Sequence, residues 1–271
     1  MATQLELDFE TLGRHGGKDR YNKLMASINR LSILTEYAKN LQGFAFYTHS
    51  SVEGSRVAYG LGLYPIITTD DTPWSVHVAK LLLPLCDYHI IPSWSKDFWP
   101  INTPNSTYEY DGDITVSWTK NVNLTWKPEY ILVREPEIQS SYVDYNFNEF
   151  RLLDKEFDGV FYANRYQGFN DIMEMISKSF CVITLCGSTV GKEACLLGVP
   201  TIMFTRGISN LSLNVLNYLK EKGFPVYGVD TYDDMKKLVK RFVSRPERMD
   251  TSKILHKMKS PVDIIESILN K

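Results

Sequence analysis

The feature that most constrains this chain is a repeated exchange between short apolar runs rich in β-branched residues and longer segments whose apolar residues recur at steps of three and four. In the C-terminal half the runs fall at 130–133, 159–163, 180–185, 201–204 and 225–227, and amphipathic segments follow at 147–154, 170–179, 190–197, 211–222 and 231–243. Runs that are apolar throughout suit strands buried on both faces of a parallel sheet, and parallel strands need crossover helices to join them. The pattern therefore predicts a complete, doubly wound α/β domain.

The N-terminal half follows the same rule less completely. Leu24, Ile28, Leu31, Leu34, Tyr37, Ala38 and Leu41 predict one long amphipathic helix over 20–41, stopped by Gly43. A strand at 44–47, a helix ending at Gly60 and a strand at 64–68 make a β-α-β unit with Gly62 as the helix exit. Thr72-Pro73 opens another helix, with proline in the first turn where its missing N–H costs nothing; it ends near Pro84, before a strand at 88–91. Residues 92–128, rich in Pro, Asn, Thr, Trp and Tyr, read as an irregular linker. Its Trp94, Trp99, Trp118 and Trp126 either form an aromatic platform for a sugar or bury a hinge. A cut near residue 125 gives an N-terminal Rossmann-like domain, 1–125, and a C-terminal one, 126–271, whose last segment, 252–270, forms one or two helices packed back on the body.

Composition bounds the function. With 44% hydrophobic and 23% charged residues, the chain can bury a core, which excludes disordered and collagen-like classes. Its 30 Lys+Arg against 32 Asp+Glu leave a net charge of −2, so no global field recruits nucleic acid or an anionic membrane. The longest near-apolar stretch, 78–91, carries Lys80 and Asp87 and falls short of the roughly 20 residues of a bilayer span. The acidic segment 1–10 has no apolar signal core, so a cytoplasmic protein is expected. Cys86, Cys181, Cys186 and Cys195 sit among apolar neighbours, as buried thiols rather than disulfides or zinc ligands.

The sharpest chemical feature is CVITLCGSTVGKEACLLGVPTIMF, residues 181–204. A strand that runs through Gly187, Ser188 and Thr189 directly into a helix aims backbone N–H groups and a partial positive charge at one point, which favours a phosphate. Glu193, about one turn into that helix, is placed to accept from ribose hydroxyls. The plainer reading has Ser188 capping the helix and Glu193 facing water. A P-loop is excluded, because Cys186 and Glu193 stand where that motif needs glycine and Ser or Thr.

This stretch resembles the C-terminal signature of GT-B glycosyltransferases and UDP-N-acetylglucosamine 2-epimerases, in which a glycine-rich turn precedes a Glu-Ala helix and an LG-x-P strand entry. More closely, the chain resembles a largely archaeal family known as domain of unknown function 354. GRHGGKDRYNKLMASINRLSIL, SSVEGSRVAYGLGLYPIITTDDTPWSVHVAKLLLPLCDYHIIP, YILVREPEIQSSYVD and CGSTVGKEACLLGVPTI carry that resemblance over most of 12–204. It implies two Rossmann-like domains of GT-B type, with a nucleotide sugar, most simply a UDP-sugar, on the C-terminal domain in the interdomain cleft. It places the diphosphate on Gly187, Ser188 and Thr189 and the ribose on Glu193, with no tightly bound cofactor and no metal. Arg134 and Arg165, each at the carboxyl end of an expected strand, are placed to neutralise the leaving diphosphate.

On the acceptor side, His15 in the glycine-rich GRHGG segment, His49 after a strand and Asp71 after the next are the candidate catalytic groups. Each also has a structural reading: a solvated turn for His15, a helix cap for Asp71. His77 and His89 read as packing and core. The leading expectation is a metal-independent glycosyltransferase acting on an unnamed acceptor. The alternative is a nucleotide-sugar 2-epimerase, with Glu53, Asp70, Asp71, His15 and His49 supplying its acids and bases. A non-catalytic nucleotide-binding or scaffold protein is the third, because the first strand-helix unit of the N-terminal domain looks missing. A sheet left with an open edge would favour a homodimer.

Overall fold

The structure is a computed structural model that describes residues 10–17, 19–41, 45–68, 80–81, 83–99, 106–135, 148–163 and 168–270. In chain order the elements are α1 (Arg20–Ala38), β1 (Ala45–His49), α2 (Val52–Gly60), β2 (Tyr64–Thr68), β3 (Tyr88–Pro92), β4 (Ser106–Tyr110) and α3 (Val116–Thr119). They continue with β5 (Tyr130–Arg134), α4 (Asn148–Arg151), β6 (Val160–Ala163), α5 (Phe169–Ser177), β7 (Ser179–Leu185), α6 (Thr189–Leu196), β8 (Thr201–Phe204), α7 (Asn210–Glu221), β9 (Val226–Val229), α8 (Tyr232–Ser244), α9 (Ser252–Lys257) and α10 (Pro261–Leu269).

The chain divides into two compact units, one built on Thr115–Met258 and the other on Asp8–Ile114 with Lys259–Lys271. The division thus falls ten residues before the expected cut near 125, and the C-terminal tail is shared: α9 belongs to one unit and α10 to the other. Burial explains the split. Ile264, Ile265 and Ile268 of α10 pack with Ile66, Ile90 and Tyr110, so the tail completes the first sheet's core.

That first sheet is wholly parallel, in the order β1-β2-β3-β4. Among the described residues α1 precedes every strand, and the order never reverses, so the sheet holds only one half of a doubly wound arrangement. Segment 92–128 is not the irregular linker that its composition predicts. It contains a 3-10 turn at Ser93–Phe98, the strand β4, paired with β3 from Tyr88↔Ser106 to Pro92↔Tyr110, and the short helix α3. The strand escaped notice because it alternates, with Thr107 and Glu109 exposed and Tyr110 buried, and an alternating strand lacks the apolar run of a doubly covered one.

The second sheet is also parallel, in the order β6-β5-β7-β8-β9. Its strands coincide with the five apolar runs. On one face Ile131, Val133, Cys181, Ile183, Ile202 and Phe204 meet Phe150, Leu153, Val239 and Phe242. On the other, Leu132 and Val182 meet Ile172, Ile176, Val190, Ala194 and Leu197. Adjacent residues of one strand point to opposite faces, which is why a doubly covered strand is apolar at every position. Each such side chain, fully buried, contributes about 1.5–3 kcal/mol.

The same two clusters show where the winding reverses. Helix α4, after β5, covers the first face; α5 and α6, after β6 and β7, cover the second. The reversal lies between β5 and β7, and ligands of open α/β sheets bind in the crevice at the carboxyl ends of such a strand pair.

Candidate functional site

At the carboxyl end of β7 the chain turns through Cys186, Gly187 and Ser188 into α6. Gly187 has φ +86°, and a Cβ built there would lie 2.9 Å from Ser212 Oγ, so both backbone conformation and space call for glycine. Cys186 Sγ donates to the Ser212 carbonyl at 2.9 Å, tying the turn to α7. Gly191 lets α6 lie directly on the sheet, since a Cβ there would stand 2.5 Å from Thr184 Cγ2.

The first turn of α6 is open. Ser188 occupies the cap position with extended geometry, but its side chain makes no capping hydrogen bond and no acidic residue sits in the turn. In the other described helices of eight or more residues a side chain does accept from an N–H at the start: Asp19, Ser51, Asp171, Ser209, Thr231 and Asp263 serve α1, α2, α5, α7, α8 and α10. Gly187 and Ser188 are half-buried and Thr189 is exposed. The result, among the described residues, is a helix N-terminus with an exposed Thr189 and no side-chain acceptor of its own beside the reversal of the sheet, a geometry suited to an anion.

Glu193 does not face water. It is 4% exposed, and Oε1 accepts a hydrogen bond from the Trp118 indole Nε1 at 2.9 Å. Both halves of the plainer reading thus give way: Ser188 does not cap with its side chain, and Glu193 is enclosed. Trp118 was missed as a partner of this site because 75 residues separate it from Glu193. The other tryptophans of 92–128 turn their indole N–H groups to protein acceptors: Trp94 to Gly112 O, Trp99 to Ser95 Oγ and Trp126 to Ser179 O.

Arg134 ends β5, as expected, and its Nη1 donates to the carbonyls of Ala163 at 3.3 Å and Glu135 at 3.4 Å. Arg165 lies outside the described residues. Arg206, just past the end of β8, was not anticipated, although the rule that selected Arg134 applies to it equally. It pairs with Glu149, and its guanidinium carbon lies 5.5 Å from the centre of the Phe204 ring.

In the other unit, His15 Nδ1 accepts from the Gly17 N–H at 3.1 Å. That bond uses the lone pair a general base needs and leaves the proton of the neutral ring on Nε2. Arg30 organises the neighbourhood: Nη1 donates to Arg14 O at 2.9 Å, and Nε and Nη2 donate to Glu53 Oε1 at 3.1 and 2.5 Å. Burial by itself raises the Glu53 carboxyl pKa, but hydrogen bonds from Ser27, the Glu53 backbone and Arg30, with the guanidinium charge, bring it below its ordinary value. Glu53 is therefore engaged in an ion pair. His49 ends β1 exposed, followed by Ser50 at φ +52° and by Ser51, which caps α2.

Asp70, Asp71 and His77 lie outside the described residues. His89 is a core residue, as expected. It is fully buried, neither ring nitrogen has a hydrogen-bond partner among the described residues, it meets Trp99 edge-on at 4.4 Å, and burial pushes its pKa down to about 4. The four cysteines are buried and form no disulfide among the described residues. Among the described residues no His, Cys, Asp and Glu side chains cluster as a metal site, and no helix is long and apolar enough to cross a membrane.

Residues 2–153 match the family described as "Protein of unknown function (DUF354)". No curated protein sequence matches the chain. Among solved structures, the chain is similar to the spinosyn forosaminyltransferase SpnP, with a TM-score of 0.60 at 15% identity over 100% of this chain and 87% of that one. It is also similar to MurG of Acinetobacter baumannii, with a TM-score of 0.53 at 12% identity over 100% and 87%. A third is the Streptomyces sp. SF2575 glycosyltransferase SsfS6 complexed with thymidine diphosphate, with a TM-score of 0.52 at 13% identity over 98% and 81%. At these identities the likeness is one of fold: two Rossmann-like units of GT-B type.

Proposed function

The chain belongs to the DUF354 family, and from that premise we propose that it is a nucleotide-sugar-binding glycosyltransferase of GT-B type. The observation that carries this reading is the open, uncapped N-terminus of α6 at the carboxyl end of β7, beside the reversal of the sheet. The solved structure of SsfS6 with thymidine diphosphate supports a nucleoside diphosphate as the ligand class, and a UDP-sugar is the donor we favour. In this reading the diphosphate rests on the N–H groups of Gly187, Ser188 and Thr189, with Arg134 as a nearby cation and Glu193 on the ribose.

The chemistry asks most of the leaving group. An acceptor hydroxyl forms a bond to the anomeric carbon while the bond from that carbon to the diphosphate oxygen breaks, and the departing diphosphate gains negative charge. Fixed N–H dipoles and a guanidinium stabilise that charge without reorganising. The acceptor's proton passes to a base, for which His49, exposed at the carboxyl end of β1, and His15 are the candidates. The epimerase alternative loses ground, because Glu53 is held by Arg30.

Thermal shift with UDP and UDP-N-acetylglucosamine tests the proposal. At a ligand concentration of 100 Kd, binding to the folded state adds about 2.7 kcal/mol, a rise in Tm of roughly 5–10 °C for a chain of this size. No shift with any nucleoside diphosphate sinks the reading. Product analysis then separates the chemistries: free UDP with a new glycoside means transfer, and a sugar inverted at C2 means epimerisation.

A further inference from the structure

We infer that an apolar stripe on α1 is the docking surface for a second copy of this chain, and that the protein self-associates by antiparallel α1–α1 packing about a two-fold axis. Tyr21, Leu24, Met25 and Ile28 stand at steps of three and four, so they share one side of the helix. All four are exposed, retaining 45–68% of their accessible surface. Over 21–35 that side adds Ser32 and Thr35 and no charged residue. The arrangement reverses the usual one, in which the apolar stripe of a helix faces the core. Here the inward side is polar: Ser27 and Arg30 hydrogen-bond Glu53 of α2, and Arg30 also donates to Arg14 O. Ala38 is the one buried residue of α1.

Area and charge select the occupant. Four large apolar side chains about half exposed offer roughly 500 Å² per copy, or about 1,000 Å² across a pair, the area at which a specific interface begins. A two-fold axis passing between Leu24 and Met25 sets Tyr21 of each copy against the partner's Ile28, so the stripe is its own complement. Because the stripe is uncharged, two identical surfaces meet without opposing like charges. A helix seated on lipid keeps Lys and Arg on a water-facing side. On α1 the opposite side is packed on α2, and its Arg30 is committed to Glu53.

The test is sedimentation velocity of the full chain over a concentration series, with a far-UV circular dichroism melt of every variant to confirm its fold. Wild type should pass from monomer to dimer with a Kd of about 10–100 μM, as suits an interface at the small end of the range. Met25→Glu should weaken the dimer at least about thirtyfold, because symmetry places the new charge in the contact twice. Leu24→Ser should weaken it about tenfold. Tyr37→Glu, at an exposed residue on another side of α1, should leave it unchanged. Met25→Cys, next to the axis, should form an interchain disulfide under mild oxidation and Tyr37→Cys should not, the four native thiols being buried. Wild type that stays monomeric through the series overturns the inference. So does a dimer that survives Met25→Glu and is not cross-linked through Met25→Cys. Monomeric protein that sediments with phosphatidylserine vesicles, and loses that property in Met25→Glu, overturns it by assigning the stripe to lipid.

Discussion

Replacing Gly191 with alanine probes how the packing of α6 on its sheet governs the candidate site. The new Cβ would lie 2.5 Å from Thr184 Cγ2, 3.1 Å from Met203 Cε and 3.6 Å from Thr201 Cγ2. The Met203 terminus can swing aside, but Thr184 is β-branched, stiff at χ1 and 1% exposed, so the helix itself must move. Two effects oppose each other. Alanine gains about 1 kcal/mol over glycine in a helix, while an extra methyl in a packed core costs about 1–3 kcal/mol. A contact roughly an ångström inside the optimum of about 3.5–4.0 Å places the cost in the upper half of that range. The net loss should be about 1–2 kcal/mol, or about 2–8 °C in Tm. Melts followed by far-UV circular dichroism, with UDP titrations alongside, measure both the packing and its consequence for the turn. Thr184→Ala supplies the control, because it removes the opposing methyl together with a buried hydroxyl that has no hydrogen-bond partner among the described residues. The double variant should be at least as stable as Thr184→Ala alone, a coupling of about 2–3 kcal/mol. If Gly191→Ala melts with wild type, or costs the same in the Thr184→Ala background, close packing is not what glycine provides here.

Two titratable groups of the N-terminal unit give separable acid dependences. Glu53 has a folded pKa below its ordinary value, so its stabilising contribution is complete above the unfolded carboxyl range and disappears as pH falls through the depressed folded pKa. Glu53→Gln should cost about 0.5–1 kcal/mol at pH 7 after solvent screening, with the gap to wild type closing in acid as the carboxylate takes up its proton, followed by urea unfolding; equal stability at pH 7 would make the Arg30 pair inert. His89 has a pKa lowered from 6.5 to about 4, so the fold excludes its proton and stability drains away as pH falls from 6.5 toward 4, by about 3 kcal/mol in all. His89→Leu should flatten unfolding free energy against pH over that window, and an unchanged slope would place the acid sensitivity elsewhere.

Legibility followed burial. The five strands of the C-terminal sheet and the turn at Gly187 could be read because strands covered on both faces must be apolar at every position, and because a glycine between a strand and a helix has few other uses. Strand β4 could not, since Ser106, Thr107 and Glu109 carry the polarity of a strand with one open face, among prolines and asparagines that signal a loop. Arg206 meets the same rule as Arg134, a cation at or just past the carboxyl end of a strand. Neither Glu193's burial nor its indole partner had any local signal.

Alone, the sequence determined the strands and helices of the C-terminal sheet, the apolar runs that fill its core, and where an anion-suited helix N-terminus forms, because periodicity and turn chemistry act within a few residues. The tertiary structure alone decided the strand order, and with it the reversal between β5 and β7. It also decided the division of the tail between the two units and the enclosure of Glu193 against Trp118. Apolar runs tell a strand to be buried but not which neighbour to take, and a hydrogen bond across 75 residues exists only once two helices have been packed together by the side chains around it.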